Sequence, residues 1–423
     1  MTDERGVLRR IAWRELFPWL IIFRTFRLAI SPTLLLVATL AVFLSAAGWR
    51  AGEFVFLTTD QRSAADPGSL LYAKTPRAVA KYLPAEESSL IDGYFRLSEP
   101  FYRVFRRDLN IRHAAYYTFA SLWSLAIWAL AGGIITRRAV VEFGADETPS
   151  FMETVQFAAR RYLWYFLAPL YPLSGVLLLS LPIAALGFIA WLHDFGFILA
   201  GVLWIFVILA GVVAAWLLAG LLFGWPLMWG TISAEREGDA FEAFSRSFSY
   251  VYGKPLHYLF YAVVAALFGA LCWAAAHYTA EIIIEFGLWA FSWGAGAEQA
   301  ARIEGLASLS QIQFLRENDG NQLARFGGIL MALSIGLVEL IETGFMFSFF
   351  WCVAGAIYLL MRQDVDDKEL DDVYVPAETP APHTPLTTAA TPAPVPSPAP
   401  VPTADAPPPP EQRLVETVQV PPP

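Results

Sequence analysis

The chain has 423 residues, of which 56% are hydrophobic and 16% are charged, and its formal net charge is −9. Soluble globular proteins carry about 25% charged residues, so this composition excludes an ordinary soluble domain and is typical of a membrane protein. It also argues against a nucleic-acid binder, because no basic patch is interleaved with aromatic residues.

The first 30 residues are basic and amphipathic. Leu8, Ile11, Trp19 and Phe23 recur at helical spacing with arginines between them, a pattern typical of helices that lie on a membrane surface. We therefore predict a basic amphipathic helix over 1–30. Its arginines favour the cytoplasmic side of the membrane.

Six apolar runs are long enough to cross a bilayer, since a spanning helix needs about 20 apolar residues. They lie at 31–48, 114–136, 162–192, 195–224, 257–276 and 328–361. Arginine pairs follow the second span, and further basic residues follow the fourth, which favours the cytoplasm for both loops. The prediction is an all-α bundle of about six transmembrane helices in the cytoplasmic membrane, with both termini in the cytoplasm and the lipid bilayer as its main partner.

Three segments lie outside these spans. An extracytoplasmic loop covers 49–113 and an outer loop covers 277–327, whereas 362–423 forms a cytoplasmic tail. The tail begins with an acidic run that we interpret as a solvated linker. From Pro376 onward, 17 of 48 residues are proline, and such a segment cannot bury a core and is predicted to be disordered.

Two stretches near 150–161 and 239–252 repeat one arrangement, in which an amphipathic helix lies between two spans. Their starts carry the capping-box spacings Ser150-x-x-Glu153 and Asp239-x-x-Glu242. If these cytoplasmic helices dock protein partners, their contact faces share one side at helical spacing and consist of Met152, Val155, Phe244 and Phe248. The alternative is that these faces pack beneath the bundle or lie on lipid headgroups.

Small residues recur every four positions in the fourth and fifth spans. They are Gly211, Ala215 and Ala219 in one and Ala262, Ala266, Ala270 and Ala274 in the other, with Ala265 and Gly269 alongside. Such stripes let two helices approach closely in lipid. We therefore predict that the fourth and fifth helices pack on each other.

Glu339 and Glu342 are the main ionisable candidates, because charged side chains within spans are costly and often functional. They lie one helical turn apart in the last apolar run and form a candidate ion or proton site. The alternative is that both glutamates lie near the outer interface without such a role.

Three histidines, His113, His193 and His277, fall at the outer ends of spans and raise the possibility of a zinc site. No ligand motif accompanies them, and no phosphate-binding loop, nucleophile elbow or dinucleotide fingerprint occurs. We therefore predict no cofactor, no metal and no catalytic residue. Cys272 and Cys352 are interpreted as apolar fillers within spans.

One set of motifs carries a family resemblance. Trp123-x-x-x-x-Trp128 leads to Gly132-Gly133-Ile134-Ile135-Thr136-Arg137-Arg138, and the Ser150 helix ends in Arg160-Arg161. Together with Gly224-Trp225-Pro226-Leu227 and Ala243-Phe244-Ser245-Arg246-Ser247, these motifs resemble a family of uncharacterised bacterial multi-pass membrane proteins over roughly 115–275 and the last span. More distantly, the repeated helix resembles the membrane domain attached to some glycerophosphodiester phosphodiesterases. The resemblance implies a six-span protein without that activity, because no catalytic phosphodiesterase domain is present.

Three functional hypotheses follow. The first is a non-enzymatic scaffold that recruits protein partners through its cytoplasmic helices and proline-rich tail. The second is a transporter or permease-like subunit, since some transporters are built on parallel repeats. The third is a membrane-embedded metal hydrolase that uses the outer histidines. We prefer the first, because no catalytic motif is present.

Overall fold

The computed structural model describes residues 17–58, 101, 103–105, 109–192, 194–296 and 322–375, and the regular elements within them are helical. A 3-10 turn at Pro18–Arg24 precedes the α-helices. In chain order these are α1 Thr25–Ala29, α2 Pro32–Phe56, α3 Ile111–Gly144, α4 Phe151–Arg160, α5 Tyr162–Leu167, α6 Leu170–Leu192, α7 Asp194–Val202, α8 Trp204–Ala234, α9 Ala240–Gly253, α10 Pro255–Ala295 and α11 Gln322–Asp366. Six of them, α2, α3, α6, α8, α10 and α11, are long and apolar enough to cross a membrane. The predicted all-α fold class is confirmed.

The last helix forms the centre of the bundle. Residues 343–362 of α11 are buried on every side, because α2, α3, α8 and α10 all pack against α11. A helix that is apolar all round is expected to be surrounded by other helices or by lipid. Within lipid, close van der Waals packing holds such a helix in place.

Stacked tryptophans form the interior of the bundle. The rings of Trp229 and Trp351 lie 4.1 Å apart at an interplanar angle of 14°, and Trp128 stands 6.3 Å from Trp351. A Cβ atom on Gly132 would lie 2.2 Å from the Trp229 ring and 2.9 Å from that of Trp351. Glycine is therefore required at position 132 by packing, which gives the first glycine of the Gly-Gly motif a structural role.

The helices α6 and α7 and the first half of α8 lie at the periphery. Trp191 and Phe197 are 79% and 74% exposed, and continuous burial in α8 begins only near Gly224. The prediction that the fourth and fifth spans pack on each other is wrong, because α8 packs mainly on α9, with α3, α6 and α11 as further neighbours, whereas α10 packs mainly on α11. No atom lies within 4 Å of a Cβ built on Gly211.

Two glycines of α8 provide a matched test of this arrangement. Gly211→Leu is expected to leave the thermal midpoint in detergent unchanged, because its surroundings are open. Gly220→Leu is expected to cost about 1–3 kcal/mol, as overpacking does elsewhere, because a Cβ there would lie 2.4 Å from the Phe248 ring. Equal destabilisation by both substitutions would contradict the peripheral position of the first half of α8.

The predicted amphipathic surface helix over 1–30 is corrected over the part that the structure describes. Residues 1–16 of the predicted surface helix lie outside the described residues. From Phe17 onward the chain forms the 3-10 turn and the short α1, with Ile22 and Leu28 buried. Aromatic contacts explain the difference, because Phe23 lies 4.8 Å from Phe268 of α10. This segment is therefore part of the bundle rather than a helix lying on a membrane surface.

Helix boundaries also differ from the apolar runs. The second span extends to Gly144 and so includes both arginines of the motif, while α10 continues to Ala295 into the predicted outer loop. Apolar runs mark only the lipid-compatible part of a helix, whereas backbone hydrogen bonding continues through polar residues. Most of 49–113, together with 297–321 and the tail from 376, lies outside the described residues.

Candidate functional site

The two repeated helices begin where the capping signals predict. The Ser150 hydroxyl accepts a bond from the Glu153 backbone N–H at 3.3 Å, and the Glu153 carboxylate accepts one from the Ser150 N–H at 2.9 Å. The Asp239 carboxylate accepts a bond from the Glu242 N–H at 2.7 Å. At this second helix the Glu242 carboxylate pairs with Arg246 at 2.6 Å instead of with the Asp239 N–H. We call the end of the bundle that carries α4 and α9 the α4/α9 end.

The predicted docking faces point mostly into the protein. Phe248 is only 5% exposed and its ring lies 5.6 Å from that of Trp216. Phe244 and Val155 are half-buried against the same core, whereas Met152 is 60% exposed. The docking face predicted on α9 is therefore corrected to a packing face, because the aromatic side of α9 finds aromatic partners on α8.

The arginines of the sequence motif cap helix α8. Arg161 donates to the carbonyls of Ile232 at 2.7 Å and Glu235 at 2.8 Å, and Arg137 donates to that of Ser233 at 2.5 Å. The last carbonyls of a helix have no intrahelical partner and favour nearby cations. The Phe157 ring lies between the two guanidinium groups, 4.0 Å from Arg137 and 4.5 Å from Arg161. Arg137 and Arg161 of the motif thus satisfy carbonyls at the end of α8.

A charged network at this end is centred on Glu235, whose side chain is 14% exposed. Its carboxylate lies 3.1 Å from Arg246, 3.6 Å from Arg362 and 3.3 Å from Lys368. The Tyr358 hydroxyl donates to it at 3.2 Å. Burial of Arg246 is the largest single influence and disfavours its charged form, but Glu235, Tyr358, Tyr250 and Glu242 together outweigh burial and raise the pKa of the guanidinium above its ordinary value.

The residues after α11 complete this network. We call 367–375 the strap. Asp367 has a positive φ of 52° and reverses the chain, after which the Tyr374 N–H donates to the Ala234 carbonyl at 2.9 Å. Arg137 donates to the Tyr374 carbonyl at 2.8 Å, and Val373 packs on Gly144.

The predicted solvated linker at the start of the tail is wrong for Asp364 and Asp366, whereas Asp367, Glu369 and Asp371 are exposed. Asp366 lies 3.3 Å from Arg246 and accepts a bond from the Tyr250 hydroxyl at 2.6 Å. Asp364 accepts a bond from the Tyr261 hydroxyl at 2.9 Å. Composition suggested a solvated segment, but these carboxylates have cationic and phenolic partners on other helices, which a local run of acidic residues does not reveal.

The predicted ion site lies toward the other end of α11. The Glu342 carboxylate is 2.8 Å from Nδ1 of His277 on α10, and Nε2 of the same ring is 3.2 Å from Glu281. One histidine thus bridges two carboxylates across two helices. Glu342 is 24 residues from Asp366, which corresponds to about 36 Å of helix.

Glu339 and Trp273 flank this bridge. The Glu339 side chain is exposed, and its carboxylate makes no ion pair or hydrogen bond with the residues that the structure describes. The Trp273 ring stacks on His277 at 6.1 Å, and its indole N–H is buried without a described partner. The sequence identified the two glutamates but not His277 as the partner of Glu342, because that pairing joins positions 65 residues apart.

The three outer histidines were considered above as an alternative metal site. Among the described residues, no group of three or more His, Cys, Asp or Glu side chains is arranged to hold a metal ion. His193 lies outside those residues, and His277 is engaged by two glutamates. Comparison with family models, with curated proteins and with solved structures gave no match to this chain.

Proposed function

We propose that this chain is a non-enzymatic multi-pass protein of the cytoplasmic membrane that binds protons or small cations, as a transporter or permease-like subunit. The observation that carries the proposal is the Glu342–His277–Glu281 bridge with Glu339 beside it. Ionisable groups within spans are expensive and are retained mainly on ion and proton pathways. The arginines at the α4/α9 end favour a cytoplasmic orientation for that end.

The bridge differs in kind from the network around Glu235. In that network the Glu235 carboxylate lies beside three cations, so its negative charge is balanced. At the bridge, two carboxylates share a single histidine, and histidine is the side chain whose charge changes most readily near neutral pH. Uptake of one proton or cation would reduce this uncompensated negative charge, which is what a carrier site requires.

Flux into proteoliposomes tests the proposal. With a pH-sensitive dye trapped inside, an imposed gradient of Na⁺ or K⁺ is expected to drive proton movement in vesicles that contain the unaltered protein. Glu342→Gln and Glu339→Gln are expected to abolish it, because neither amide can titrate. Glu237→Gln, in an exposed loop at the α4/α9 end, is the matched control. No flux under any gradient, or full flux in both amide variants, would overturn the proposal.

Partner recruitment by a scaffold is a second candidate, and the exposed start of α4 favours it. Met152 is 60% and Phe151 40% exposed, outside the six candidate spans. Met152→Asp is expected to abolish recovery of a bound protein in pull-down experiments without changing the thermal midpoint, since Met152 buries little surface. Unchanged recovery, with or without the tail, would remove α4 as the docking helix.

A further inference from the structure

We propose that the α4/α9 end contains a peptide-binding groove in which the strap is an exchangeable internal ligand. The groove is formed by Gly144 at the end of α3, Ala234 at the end of α8, and the guanidinium groups of Arg137 and Arg362. Its external occupant is a short peptide with an acidic, a β-branched and an aromatic residue in succession, as in Asp372-Val373-Tyr374. This inference is independent of the intramembrane bridge.

The contacts that hold the strap are those of peptide recognition. Arg137 and Arg362 donate to the carbonyls of Tyr374 and Asp372, and the Val373 N–H donates to the Asp371 carbonyl at 2.7 Å, which makes a tight turn centred on Asp372. The Tyr374 N–H donates to the carbonyl of Ala234, the last residue of α8, which has no partner within its own helix. Main-chain bonds of this kind provide affinity for any peptide that can adopt the turn at Asp372.

Side-chain contacts give the groove its selectivity. The side chain of Val373 is 9% exposed and fills the space above Gly144, where a Cβ atom would lie 2.5 Å from it. Arg362 also lies 3.3 Å from the Asp372 carboxylate, so an acidic residue precedes the buried one. An aliphatic side chain flanked by a carboxylate is therefore the pattern that this surface selects.

Within the part of the chain that the structure describes, the strap leaves hydrogen-bond donors of the groove without acceptors. The Arg362 side chain is 1% exposed, yet its Nε and Nη1 atoms have no hydrogen-bond partner among the described residues. Glu235 approaches Nε only to 3.6 Å. Buried donors without acceptors are unfavourable, so a peptide that supplies one more acceptor would bind better than the strap. The positive φ of Asp367 adds a backbone conformation that only the internal strap must adopt.

Thiol labelling of the full-length protein tests exchange. In a chain with Cys272 and Cys352 replaced by alanine, Val373→Cys is expected to react slowly with maleimide, because position 373 is buried. Excess peptide with the sequence of 367–376 is expected to raise the labelling rate severalfold at millimolar concentration. That concentration is on the order of the effective concentration of a tethered segment.

Two controls separate exchange from other causes. Val375→Cys, at a position 38% exposed, is expected to react quickly with or without peptide, and a scrambled peptide is expected to leave both rates unchanged. If Val373→Cys does not accumulate, Leu370→Cys reports the same opening. No acceleration by the strap peptide, or equal acceleration by the scrambled one, would overturn the proposal. A rate that rises with protein concentration alone would overturn it in favour of strap exchange between two copies.

Discussion

Replacing Trp351 with alanine is expected to lower the free energy of unfolding by about 3–5 kcal/mol, the usual range for removing a buried large aromatic side chain. Trp351 is fully buried and stacks on Trp229 at the centre of the bundle. Trp229 already packs directly against α3 at Gly132, so its ring cannot move to fill the resulting cavity. Thermal unfolding in detergent measures the effect.

Trp191 is the matched control for this substitution. It lies in α6 and is 79% exposed, so Trp191→Ala is expected to leave the thermal midpoint close to that of the unaltered protein. A similar loss in both variants would mean that α6 has neighbours beyond those described. A small loss for Trp351→Ala alone would contradict the central position of α11.

Replacing Glu235 with glutamine is expected to cost about 3–5 kcal/mol, as for removing one partner of a buried ion pair. The amide keeps the size of the side chain but removes one of the two carboxylates beside Arg362, whose side chain is 1% exposed. Arg246 and Lys368 would lose the same counterion. The free energy of unfolding is again the measured quantity.

Two further variants make this prediction specific. Glu237→Gln removes an equal charge two residues away at an exposed position, and it is expected to have little effect. The double variant Glu235→Gln with Arg362→Met is expected to recover part of the loss, because the buried cation is removed together with its partner. Additive losses in the double variant would show that Glu235 and Arg362 are not coupled.

The sequence was sufficient to predict local structure. Six apolar runs predicted the six candidate spans, because length and hydrophobicity alone decide whether a helix can cross a bilayer. The side chains of Ser150 and Asp239 predicted the starts of α4 and α9, since an N-cap bond involves residues only three positions apart. Apolar runs and N-cap spacings each depend on residues that are close together in the sequence, so both can be recognised without knowing the fold.

Neighbour relations were not predictable in the same way. The alanines of α10 suggested α8 as a partner, yet α10 packs against α11, because a stripe of small residues permits close approach without specifying which helix approaches. Likewise, Glu342 was recognisable as an ionisable residue in a span, but not its partner His277. The acidic residues near Asp366 resembled a solvated linker until their distant partners Arg246 and Tyr250 were known.

The central position of α11 has a consequence for biosynthesis. Ribosomes deliver the chain from its N-terminus at about 5–20 residues per second, so α11 emerges several seconds or more after α8 is complete. During that interval the surfaces of α2, α3, α8 and α10 that later surround α11 have only lipid or assembly factors to contact. The bundle can close only after translation has passed Met361, and a premature stop before Phe345 would leave the other helices without the surface that unites them.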